Sequence, residues 1–148
     1  MNNKVNEKST TIAFLVINII IAIILSPKNI YFVGNFMYYW LPQAIVFILL
    51  FVFKFRLAII TGTAIALTLS FIGYSMLKDS MVWIGYPFII SAGFLGALTY
   101  GLITKSKTST PYVEVIIYST VFTMIGMGIV QLILCSSTVM YCGWQRIY

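Results

Sequence analysis

The chain has 148 residues, of which 61% are hydrophobic and 8% charged, with nine basic and three acidic side chains. An ordinary soluble domain is about 45–50% apolar and about 25% charged, so this composition excludes one and points to lipid as the solvent. The formal charge of +6 does not mark a polyanion groove, because Lys4, Lys8, Lys28, Lys54, Arg56, Lys78, Lys105, Lys107 and Arg146 are scattered between and beyond apolar runs.

With a span needing about 20 residues, the length predicts an all-α, polytopic transmembrane bundle of five spans over residues 1–148, as a single integral membrane domain. The first apolar run, residues 11–25, is interrupted only by Asn18 after its opening Thr11. Lys4 and Lys8 ahead of it imitate a secretory signal, but Leu25, Ser26 and Pro27 do not form a small-residue cleavage site, so a retained first helix is expected. Residues 27–37 then form an aromatic link, expected to lie along the headgroup surface with any short helix interrupted at Gly34 and Asn35.

The second run covers residues 41–53, extended backwards through Trp40, Tyr39 and Tyr38, with Pro42 tolerated near its start. Lys54, Phe55 and Arg56 divide it from a third run over 57–77. One helix over 38–77 would measure about 60 Å, twice a hydrocarbon core, so the chain must turn there unless the second segment is shallow or re-entrant. The fourth run, 81–103, has no charge, and Pro87 predicts a kink by withholding a donor from the carbonyl of Trp83. The fifth, 112–134, is broken only by Glu114 and Gln131; Thr110 and Pro111 suit its start.

Five spans place the termini on opposite sides. With the N-terminus inside, the inner segments carry Lys4, Lys8, Lys54, Arg56, Lys105 and Lys107, against Lys28, Lys78 and Arg146 outside, so the positive-inside rule predicts N-in and C-out. Trp40, Trp83 and Trp144 would then fall near the outer face. Cys135 and Cys142 would reach the same side, where an oxidising compartment would permit a disulfide between them. A buried Cys135 with an incidental thiol at Cys142 is the alternative.

Small residues are the clearest pattern within the runs. Gly93, Ala97 and Gly101 recur every four residues, Ala92 and Gly96 add a neighbouring stripe, and Gly62 and Ala66 repeat the device in the third span. Such stripes let helix backbones approach, either within the chain or at a seam with a partner. Among polar residues inside spans, Asn18 is expected to face another helix, while Glu114 suits a helix start beside Lys105 or Lys107. Gln131 is too far along the same helix to meet Glu114, so no compact polar site is visible.

Chemistry is sparse. The chain lacks histidine, and Asp79 has no neighbouring carboxylate, so neither a general-base histidine nor a paired-acid or two-metal site is indicated, and no cofactor is expected. The GMG at 126–128 lies in a helix and is no phosphate loop. The expected function is that of a small non-enzymatic protein of a bacterial inner membrane. It would act through intramembrane packing with another membrane protein or a second copy, as an accessory or immunity-type protein, with lipid as its surroundings and no nucleic acid. The alternative is a transporter or channel subunit in which Glu114 contacts a proton or cation.

Overall fold

The computed structural model of the chain describes residues 6–77, 80–104 and 110–136, with the backbone alone at 77 and 80–84. Five helices follow one another: α1 (Glu7–Leu25), α2 (Phe32–Val52), α3 (Leu57–Leu77), α4 (Ser80–Thr104) and α5 (Tyr112–Ser136). Each contains a segment long and apolar enough to cross a membrane. This is an all-α, multi-span integral membrane protein.

The ends of the helices follow from local chemistry. Asn6 caps α1, its side-chain oxygen accepting from the Ser9 N–H at 3.3 Å, so α1 starts a turn before the apolar run. The link after α1 is shorter than the sequence suggests. Asn29 organises it: its carbonyl accepts from Phe32 N–H at 2.9 Å, and its side-chain oxygen accepts from Tyr31 N–H and from Asn35 Nδ2. Helix α2 therefore begins at Phe32 and runs through Gly34 and Asn35 without interruption, a correction to the expected break at those two residues. Trp40 consequently lies about 12 Å along the helix from its first residue, and Pro42 sits mid-helix instead of near the start.

At 21 residues, α2 measures roughly 31 Å, enough to cross a hydrocarbon core. Its end is a Schellman motif: Phe55 N–H donates to the Leu50 carbonyl, Lys54 N–H donates to the Phe51 carbonyl, and Lys54 takes φ 56°. Two residues later α3 begins. Helix α4 is continuous across Pro87. Helix α5 starts at Tyr112, with the Pro111 carbonyl accepting from Val115 N–H at 3.1 Å.

Helix α3 is the centre of the bundle and contacts each of the other four. Its residues Ala58, Ile60, Ala64, Ala66 and Leu67 are completely buried. The most extensive contact joins α4 to α5, and glycine explains it. A Cβ on Gly96 would collide with the Phe122 carbonyl, and one on Gly126 would collide with the Ala92 carbonyl. Each helix thus presses a carbonyl into the other's glycine notch, which maximises van der Waals contact where lipid gives no hydrophobic gain. Gly62 does the same between α3 and α5, where an added Cβ would lie 2.8 Å from Ser119 Cβ.

Candidate functional site

The closest approach of α3 and α5 exposes backbone carbonyls of one helix to hydroxyls of the other. Ser119 donates to the Ile59 carbonyl at 3.0 Å, and Thr120 to the Gly62 carbonyl at 3.1 Å. Most other hydroxyls, such as Thr63, Thr99 and Thr123, return to a carbonyl one turn back, which satisfies them at little cost within a helix.

Helices α1 and α3 run parallel, joined by two polar rungs in one register. Thr11 and Thr61 meet hydroxyl to hydroxyl at 2.9 Å, and seven residues further along each helix Asn18 Nδ2 donates to Thr68 Oγ1 at 2.9 Å. A seven-residue step brings a helix back to nearly the same face. The first rung continues to α5, because Thr61 is 3.2 Å from the Tyr112 hydroxyl.

The second rung opens into the main polar cluster. Asn18 Nδ2 also donates to Gln43 Oε1 at 2.8 Å, and Gln43 Nε2 donates to the Tyr86 hydroxyl at 3.1 Å and to the Tyr39 carbonyl at 3.2 Å. Four helices, α1 to α4, are thereby linked through one buried amide pair. Tyr86 is enclosed by the rings of Tyr39, Phe71 and Tyr74, with centroids between 5.4 and 6.3 Å away. Asn18 Oδ1 is buried without a hydrogen-bond partner.

The three intramembrane polar residues singled out from the sequence do not come together. Asn18 belongs to this central cluster. Gln131 accepts from the Tyr74 hydroxyl at 2.6 Å, beside a separate cavity of about 320 Å³ between α3 and α5 lined by Gly73, Met127 and Gly128. Glu114 is exposed in the first turn of α5; Lys105 and Lys107, its expected neighbours, lie outside the described residues. Gln43, Tyr86 and Asn29 escaped the sequence reading. The signal for Gln43 was available, since an amide in an apolar run needs a partner as much as Asn18 does.

The small residues lie on contacts inside the bundle. Gly62, Gly93 and Gly96 face α5, Ala66 and Ala97 are fully buried, and Gly101 receives the Phe55 ring. Cys135 lies in the last turn of α5, whereas Cys142 and the expected bridge to it lie outside the described residues. Among the described residues no three His, Cys, Asp or Glu side chains are grouped to hold a metal.

No protein-family model matches the chain, and comparison with curated proteins and with solved structures finds no match.

Proposed function

We propose that this is a non-enzymatic membrane protein, of accessory or immunity type, that acts by binding another membrane protein within a bacterial inner membrane. The observation carrying this reading is the placement of Glu114. It heads an exposed stripe on α5 that continues through Ile117, Tyr118, Val121 and Ile125, all on the outside of the bundle. A carboxylate at the head of an apolar stripe offers a partner helix both a packing surface and a polar register mark. The same placement weighs against transport through Glu114, because the residue does not face the interior polar cluster.

Because the small-residue stripes are occupied within the bundle, the partner surface in this reading is the α5 stripe. Photo-crosslinking side chains placed at Ile117 and Val121, with Val16 and Ile20 on α1 as controls, test it in native membranes. A discrete protein adduct confined to the α5 positions and weakened by Glu114→Gln is the expected result. Equal adducts from both helices, or none from α5, would reject it. Proton or cation flux through reconstituted protein, abolished by Glu114→Gln, would transfer the assignment to transport.

A further inference from the structure

The turn between α2 and α3 forms one wall of a cavity of about 410 Å³, closed on the other side by Leu98, Gly101 and Leu102 of α4. Gly101 makes this arrangement possible. A Cβ there would collide with the Phe55 ring, so the turn docks on α4 only through the glycine. Lys54 and Arg56 line the cavity together with Ile59.

Both basic residues are placed in ways that folding alone does not favour. Lys54 occupies the left-handed position of the Schellman motif at φ 56°, which glycine adopts without the Cβ penalty. Arg56 donates through Nη2 to the Thr110 carbonyl at 3.2 Å, whereas Nη1 is buried without a hydrogen-bond partner. A half-buried guanidinium with one nitrogen withdrawn from water and unmatched favours a nearby anion. The site lies at the helix ends that share a side with the start of α1, at the level where a span meets headgroups.

We propose that this cavity binds an anionic phospholipid, with Lys54 and Arg56 facing its phosphate and Ile59, Leu98 and Leu102 receiving the upper part of an acyl chain. Paired basic charge beside an apolar wall matches an amphiphile better than it matches inorganic phosphate, which has nothing to place against leucine. The lipid's negative charge complements both side chains, and it is present in the leaflet without any route of entry from water.

The test uses the full chain purified in mild detergent, with native mass spectrometry after addition of phosphatidylglycerol, phosphatidylcholine of the same acyl chains, or inorganic phosphate. Wild-type protein is expected to retain phosphatidylglycerol over phosphatidylcholine, with roughly five-fold weaker retention for each lost basic residue. Lys54→Gly is the decisive variant, because glycine suits the backbone there and the protein should stay folded while the charge is removed. Arg56→Gln should act in the same direction, and Lys28→Gln, at the opposite helix ends, should change nothing. Unchanged phosphatidylglycerol retention by folded Lys54→Gly, or equal retention of the two lipids, would overturn the proposal. Displacement of the lipid by inorganic phosphate would identify a free-anion site and overturn the lipid assignment.

Discussion

Asn18 and Gln43 meet side chain to side chain in the interior of the bundle, Asn18 Nδ2 donating to Gln43 Oε1 across 2.8 Å. Through this pair, α1 and α2 are tied to α3 at Thr68 and to α4 at Tyr86. The direct contacts of α2 with α1 and α3 are small compared with those between α4 and α5, so a polar link matters more here than elsewhere in the fold.

Replacing either amide by leucine should therefore destabilise the protein, by about 1 kcal/mol, because the remaining buried amide loses its partner. The double replacement Asn18→Leu with Gln43→Leu should cost less than the sum, since no half of the pair is then stranded. Unfolding in mixed detergent micelles measures all three. Additive losses would show that the two side chains act independently.

The glycines divide into two groups with opposite expected behaviour. Gly96→Ala and Gly126→Ala place a methyl against a backbone carbonyl of the facing helix, which cannot rotate away. Each should lower thermal stability by about 1–3 kcal/mol as the helices separate. Gly34→Ala meets nothing within 4 Å and should be neutral or raise stability by up to about 1 kcal/mol. Melting curves in a single detergent compare them directly.

Lys54→Gly should raise stability by about 1 kcal/mol, because the left-handed conformation costs a side chain that much relative to glycine. Chemical unfolding of the pure protein provides the check. A loss of stability would mean that the lysine side chain makes a contact that outweighs its backbone cost.

Orientation is testable by labelling single cysteines in a chain whose two native cysteines are replaced by serine. Lys8→Cys and Lys54→Cys should react with an impermeant maleimide only from the cytoplasmic side, and Asn29→Cys only from the other. Labelling of Lys8→Cys and Lys54→Cys from opposite sides would mean that α1 and α2 do not both cross.

The proposed Cys135 to Cys142 bridge predicts that native protein resists alkylation until it is reduced, and then takes up two labels. Ready alkylation of the unreduced protein would remove the bridge. The measurement also reports the compartment, because such a bridge persists on an oxidising side of the membrane.

Composition alone determined that the chain lives in lipid, since 61% hydrophobic residues with 8% charged ones leave no soluble solution. The run lengths and their charged breaks located all five helices, and residues 57 and 112 were the right starting points for α3 and α5. These features are legible because a membrane demands that each span satisfy its own backbone, which makes hydropathy and helix the same signal. The Gly and Ala stripes were legible as contacts, but not as contacts with named helices. Only the tertiary structure decided that Gly96 receives a carbonyl from α5, that Gly101 receives Phe55, and that Asn18 finds Gln43 instead of Gln131. The start of α2 was hidden for a related reason: Asn29 folds the preceding link through bonds from Tyr31 and Asn35, whereas the sequence suggested a break at Gly34. Pairing of this kind depends on which helix faces lie opposite one another, and a uniformly apolar chain, with helices that are greasy all round, carries almost no record of that choice.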